Sequence, residues 1–396
     1  MFIPEQVAIQ ATQYIINVLE NSKLQSEEAL DSLPGIYSVI DVQGQVLKGN
    51  KSLAKIVDKN YENLLGVSLS QLFSEENWQV FLSHLMSVKN KMDEKLEFKI
   101  DIQLKDGGIR NYLWHVSSLV VNRPNFPILF SILGHDVTDL TKVTKENSRM
   151  QYELNTAKIV QNTFFPPPTA NFGNSSIASY FETASECGGD WWYYRVIKDK
   201  LFLWIGDVTG HGVSAALVVS AVHSVALIIE EEHMSPAKTL AILNRAVGSM
   251  TNEPLTMTFT AATIDLKSRE CIFASACHEP IIVLPYDRNK LTIHDLHLLQ
   301  GEASLPLGQP KDVKYEEVKL QLKPRDRLLF YTDGIYDIAN PKGLQWSRSV
   351  FHRTLARLVT QPQNAGDLVL GLREAMDKYR QGTPLKDDVT FFVFQM

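Results

Sequence analysis

Apolar positions set the first elements. Val7, Ala11, Tyr14, Ile15, Val18 and Leu19 recur at helical spacing, so residues 1–30 read as an N-terminal packing helix. From Leu33 the period falls to two. Ile36-Tyr37-Ser38-Val39-Ile40 reads as a strand, and Val42-Gln43-Gly44-Gln45 as a tight turn into Val46-Leu47. A short helical zone spans Asn50 to Leu65. Phe98 to Leu104 alternates again, Lys105-Asp106-Gly107-Gly108 is a hairpin turn, and Tyr112 to Val120 returns. Phe126 to Thr138 closes the unit.

The period then changes once more. Leu140, Val143, Asn147, Met150, Leu154, Ala157 and Gln161 fall at alternating steps of three and four, a heptad seam over about three repeats. This predicts a helical, coiled-coil-like linker over 140–165 and a parallel homodimer, with Asn147 fixing the register. The other reading of the same stripe is an amphipathic helix packed on its own domains. Phe164-Phe165-Pro166-Pro167-Pro168 ends the helix, because proline cannot continue it.

Beyond the linker, four acids stand beside apolar strands. Gly188-Gly189-Asp190 leads into Trp191-Trp192-Tyr193-Tyr194, and Leu201 to Ile205 runs into Gly206-Asp207-Val208. Leu328 to Tyr331 runs into Thr332-Asp333-Gly334, and Asp387-Asp388 opens into Val389 to Phe394. A carboxylate at the end of a buried strand is costly unless it is exposed, paired or bound to a metal. Four such acids, three flanked by glycine, point to strand ends converging on an oxygen-rich site. Carboxylates without clustered His or Cys favour Mg²⁺ or Mn²⁺ over zinc.

Composition narrows the class. The 396 residues are 44% hydrophobic and 21% charged, as in a folded protein of two or three domains. The net charge of -6 argues against a chain that coats nucleic acid or anionic lipid. Cys187, Cys271 and Cys277 form no CxxC pair, and so few cysteines fit a reducing compartment. The most apolar run, Leu217 to Ile229, is shorter than the ~20 residues that span a bilayer. The N-terminus has no secretory pattern, so the expectation is a cytoplasmic protein without membrane or nucleic-acid partners.

The residues from Leu33 to Thr141, with the opening Val39-Ile40-Asp41 and the ending Gly134-His135-Asp136-Val137-Thr138-Asp139, resemble a PAS sensor domain, placed at 31–139. That resemblance leaves the PAS ligand unknown. No cysteine precedes Cys187, so the flavin-adduct chemistry of one PAS branch is absent. His115 or His135 could ligate haem, although a lone strand histidine is more often an ordinary residue.

The order GGD, GDVTGHGVSAAL, SACHEP, SLPLG, LLFYTDGIYD and DDVT over Ser179 to Phe394 resembles the SpoIIE-like branch of the PPM metal-dependent protein phosphatases. The resemblance implies an α+β fold for 166–396, a β-sandwich of two antiparallel sheets flanked by helices. It implies two ions, Mn²⁺ or Mg²⁺, held by Asp190, Asp207, the Val208 carbonyl, Asp333 and Asp387, with Asp207 bridging and Asp388 the alternative member of its pair. Gly189, Gly206, His211 and Gly334 become candidates for contact with substrate. His211 is either a general acid or a positioning group. The implied activity is hydrolysis of phosphoserine or phosphothreonine by a bridging hydroxide. The implied substrate is a phosphorylated STAS-domain antagonist of an anti-sigma factor in partner switching.

Departures from the family pattern are Cys277 in place of a glycine, Trp192-Tyr193-Tyr194 in place of a nearby acid, and Asp337 in place of a glutamate. Cys187 lacks the Cys-x5-Arg loop of cysteine phosphatases and reads as a small buried residue. A catalytically weak, PAS-controlled scaffold is the alternative function, and the intact acids argue against it. A PAS-linked histidine kinase is argued against by the absence of a GxGxxG-type nucleotide lid and of a Walker A sequence.

Overall fold

The computed structural model describes residues 21–89, 95–119, 127–210, 212–250, 255–285, 292–301, 304–309, 313–359 and 364–396. The chain divides into two compact units, Met1–Arg149 and Met150–Met396.

In the first unit, residues 21–31 are helical (α1). The N-terminal helix expected over 1–30 otherwise lies outside the described residues. There follow β1 (Ile36–Ile40), β2 (Val46–Gly49), α2 (Lys51–Val57), α3 (Glu75–Val88), β3 (Lys95–Gln103), β4 (Ile109–Leu119) and β5 (Leu129–Asp136). The strands form one antiparallel sheet in the order β2-β1-β5-β4-β3. Local chemistry sets the breaks. Asp41 accepts the amides of Gln43 and Gln45 at 2.9 and 2.8 Å, which closes the β1–β2 turn. Asn50 caps α2 by accepting the Leu53 amide at 3.1 Å.

Aromatic side chains fill the interior of this unit. Trp114 is fully buried, donates its indole N–H to the Ile100 carbonyl at 3.1 Å, and meets Phe73, Phe81 and Tyr112 at centroid distances of 5.2 to 5.6 Å. Gly134 lies against its ring, where a Cβ would come within 2.7 Å. Both histidines have ordinary protein partners: His115 faces Glu97 at 3.4 Å, and His135 Nδ1 lies 2.8 Å from the Pro34 carbonyl.

Helix α4 runs over Thr138–Asn162. Asp136 starts it by accepting the Thr138 amide and hydroxyl at 3.0 and 2.6 Å. The seam residues Leu140, Val143 and Met150 are 67%, 52% and 62% exposed. The last seam position departs from the heptad reading. Gln161, already in the second unit, is the buried residue of α4, and its partner is the Gly188 loop of that same unit.

The second unit holds β6 (Thr169–Phe172), β7 (Ser175–Glu182), β8 (Asp190–Ile197), β9 (Lys200–Val208), α5 (Val213–Glu231), α6 (Pro236–Gly248), β10 (Met257–Asp265), β11 (Glu270–Ala276) and β12 (Ile281–Leu284). It continues with β13 (His297–Leu299), β14 (Val318–Gln321), β15 (Arg327–Tyr331), α7 (Gly334–Asp337), α8 (Arg348–Leu358), α9 (Ala365–Arg380) and β16 (Val389–Gln395). Two antiparallel sheets result, β14-β11-β10-β9-β8 and β13-β12-β15-β16-β7-β6.

Alternation along each strand builds three packed layers. Leu201, Leu203 and Ile205 of β9 meet Phe330, Phe392 and Phe394 between the sheets. Phe202 and Trp204, on the other face of β9, pack with Val219 and Val222 of α5 and Leu243 of α6. Leu329, Phe391 and Val393 pack with Phe351 of α8 and Leu372 of α9. Strands buried on both faces explain the unbroken apolar runs in the sequence. Each such side chain contributes about 1.5–3 kcal/mol on burial. Among the described residues no helix is long and apolar enough to cross a membrane.

Candidate metal centre

The β8–β9 hairpin runs from Ile197↔Lys200 at its turn to Asp190↔Asp207 at its open end. Two carboxylates therefore face each other directly on neighbouring strands, an arrangement that repels. On its other side Asp207 is in register with Thr258 of β10.

The second sheet brings its own acids to this end. Asp333 follows the end of β15, and Asp387 and Asp388 precede β16. Thr332 donates its amide to the Thr390 carbonyl at 2.9 Å. Both threonine hydroxyls then donate to Asp190 Oδ2, Thr332 at 2.8 Å and Thr390 at 2.6 Å. Asp190, 1% exposed, thus joins the strand ends of both sheets. Asp388 is buried and accepts the Ala184 amide at 2.8 Å on Oδ1 and the Gly189 amide at 2.6 Å on Oδ2. Asp387 is half-buried and accepts the Asp388 amide at 2.9 Å.

Two glycines are dictated by close approach. A Cβ at Gly334 would lie 2.0 Å from the Asp388 carbonyl oxygen. One at Gly189 would lie 3.0 Å from the Val208 carbonyl oxygen, which brings that carbonyl against the Gly188-Gly189-Asp190 loop.

Charge and burial act together. Burial pushes the Asp190 carboxyl well above the usual range, followed by Asp207 and Asp388, against the pull of the two threonine hydroxyls. Burial, then Asp333, Asp387 and Asp388, pushes Asp207 up to about 8, against a hydrogen bond with Asp190. Burial also raises Asp387, against the Asp388 amide and with Asp333 and Asp388. The strongest charges acting on these three are all carboxylates. A divalent cation would reverse each of these repulsions, and the all-oxygen donor set suits Mg²⁺ or Mn²⁺. Among the described residues no three His, Cys, Asp or Glu side chains are arranged to hold a metal ion as they stand. What favours a cation here is the mutual repulsion of these carboxylates, which a divalent ion in place of their protons would relieve.

The other candidates take varied places. Gly206 is buried inside β9, where a Cβ would strike Phe259 at 2.4 Å, so core packing sets it. His211 lies outside the described residues. His278 is buried with Nδ1 2.8 Å from the Thr258 hydroxyl, and burial drives its pKa to about 3, so it is neutral. Cys277 takes the left-handed conformation at φ 55°, the region in which a glycine is at ease, and donates its thiol to the Ser304 carbonyl. Cys187 is buried and its thiol is pushed up, first by burial. Trp192, in place of the acid, lies in the inter-sheet core. Residues missed from sequence are Thr332, Thr390 and Gln161. The two threonines stood inside motifs already singled out for their acids.

The model of the family described as Stage II sporulation protein E (SpoIIE) matches residues 198–396. The chain is 29% identical over 198 residues to phosphoserine phosphatase RsbP of Bacillus subtilis, covering 49% of this chain and 47% of that protein. It is 26% identical over 247 residues to phosphoserine phosphatase RsbU of Bacillus subtilis, covering 61% of this chain and 70% of that protein. The chain thus spans about half the length of RsbP. Among solved structures, the SiaA-PP2C domain of Pseudomonas aeruginosa superposes with a TM-score of 0.54 at 22% identity, covering 64% of this chain and 98% of that one, a likeness of fold. The family match begins one strand after Asp190 and takes in Asp207, Asp333, Asp387 and Asp388, half of the sequence in all: the chain belongs to the SpoIIE family.

Proposed function

We propose that this chain is a metal-dependent phosphatase of phosphoserine or phosphothreonine in proteins. The observation that carries this is the facing pair Asp190↔Asp207, the first buried and the second half-buried, which feels three further carboxylates and is tied to both sheets through Thr332 and Thr390. Asp190, Asp207, the Val208 carbonyl, Asp333 and Asp387 would hold two ions, Mn²⁺ or Mg²⁺. Asp388, with both oxygens engaged by backbone amides, would hold the loop that carries Asp190. When bound, such a pair of cations supplies hydroxide near neutral pH and offsets charge on phosphate oxygens. The chain's own part is to bring five acids from the ends of four strands together and to shape the loops with Gly189 and Gly334. Nothing in this chemistry needs a covalent phosphoenzyme.

The likeness to RsbP and RsbU supports a phosphoprotein substrate, and we assign a phosphorylated STAS-domain antagonist in partner switching. The first unit, with its β2-β1-β5-β4-β3 sheet, is read as a PAS sensor that regulates the phosphatase unit through α4. The exposed seam of α4 is read as the homodimer contact. Hydrolysis of a phosphoserine protein, measured with Mn²⁺, with a chelator and in Asp190→Asn, tests the activity. Loss in the second and third conditions is expected. Full activity in Asp190→Asn would defeat the assignment.

A further inference from the structure

The end of α4 touches the loop that carries Asp190. Gln161, in the last turn of α4, is 4% exposed. Its Nε2 donates to the Gly188 carbonyl at 2.6 Å, and its Oε1 accepts the Gly188 amide at 3.1 Å. One side-chain amide therefore satisfies both backbone groups of one residue, as a neighbouring strand would.

The loop needs such a hold. Gly188 and Gly189 contribute no side chains that could fix them, and glycine is the residue with most conformational freedom to lose. Gly189 is held from other sides: its amide goes to Asp388, and its carbonyl accepts the Val208 amide at 3.2 Å. Gly188 takes its hydrogen bonds from Gln161. A second tie lies just past the acid, where Trp191 donates its indole N–H to the Phe164 carbonyl at 3.2 Å. The segment 161–164 thus grips the chain two residues before Asp190 and one residue after it.

We infer that Gln161 is a positioning residue that sets the Gly188-Gly189-Asp190 loop and, through it, the affinity of the site for divalent cations. The inference rests on the metal-dependent reading above. The physical basis is that buried peptide groups deprived of partners are costly, so the loop follows the last turn of α4 rather than part from it. Gln161 also lies on the same stripe as Leu154 and Ala157, so a turn of the helix about its axis moves seam and loop contact together.

The test uses the full chain and Mn²⁺ alone. Binding is followed by quenching of tryptophan fluorescence, since Trp191 and Trp192 adjoin Asp190, with thermal unfolding in chelator recorded in parallel. Gln161→Met keeps the length and removes both hydrogen bonds. Its Mn²⁺ affinity should fall about 10- to 100-fold, the range for supporting groups of metal sites, with most of kcat recovered at saturating Mn²⁺. Unchanged affinity in Gln161→Met, with binding abolished in Asp190→Asn, overturns this inference alone. Unchanged affinity in both overturns the metal reading as well. Should Gln161→Met not fold, amide exchange decides in the unmodified protein: a Gly188 amide protected in chelator supports the hold by Gln161, and one exchanging like an open loop rejects it.

Discussion

Asp388 holds Gly189 from 199 positions away, taking its amide at 2.6 Å on one carboxylate oxygen and the Ala184 amide at 2.8 Å on the other. Asp387, its neighbour, spends one oxygen on a single amide at 2.9 Å. The two acids should therefore fail differently. Asp388→Ala leaves two amides without a partner and should cost about 2–4 kcal/mol, read as a lower urea midpoint. Asp387→Ala should change stability by less than about 1 kcal/mol and lower kcat at least about 100-fold by weakening the metal site. Equal loss of stability in the two variants would remove the distinction.

Asp207 faces Asp190 across the hairpin and feels three more carboxylates. Without a cation this repulsion opposes folding. Asp207→Asn should thus unfold at a higher temperature than the parent in chelator, by about 2–4 °C per kcal/mol of relieved repulsion. With Mn²⁺ the order should reverse, because the parent gains ligand stabilisation that the variant loses. A melting temperature that falls in chelator would show that Asp207 is satisfied without a cation.

His223 of α5 stacks on Phe164 at 4.8 Å and meets Trp191 and Tyr193 edge-on at 5.7 and 5.9 Å, with Nδ1 buried and unpartnered. Burial lowers its pKa below the ordinary 6.5. The unfolded chain then binds the proton more readily than the fold does. Stability is fully present above pH 6.5 and is lost as the pH falls toward the folded value. His223→Phe should flatten the drop in urea midpoint between pH 7 and pH 5. An unchanged slope in that variant would assign the drop to other groups.

Leu140, Val143 and Met150 expose a stripe of α4 that a second helix would cover. Sedimentation of the full chain should give a dimer, and a chain starting near Pro166 should give a monomer. Both running as monomers would exclude this contact. One residue inserted after Met150 turns the downstream helix by about 100° relative to the upstream seam. Phosphatase activity or its regulation should change. No change in either would reduce α4 to a spacer.

Much of the fold was legible because it rests on local periodicity. Ile36 to Ile40 alternates, Phe98 to Leu104 alternates, and both became strands at the expected places. The acids were legible for another reason: a carboxylate beside an apolar strand needs an explanation wherever the strand goes. Asp190, Asp207, Asp333, Asp387 and Asp388 do meet as charges at one end of the sandwich.

What only the tertiary structure decided is who holds whom. Gln161 fits the heptad by spacing, yet it is buried against Gly188, 27 positions on. Thr332 and Thr390 read as ordinary motif residues, yet both hydroxyls converge on Asp190 from 142 and 200 positions away. Gly206 sat in a motif like the other glycines, yet a phenylalanine on the next strand requires it. Spacing along the chain fixes which face of an element a residue occupies. The hydrogen-bond partner waiting at that face belongs to a distant segment, and only the packing of the two sheets and their helices brings it there.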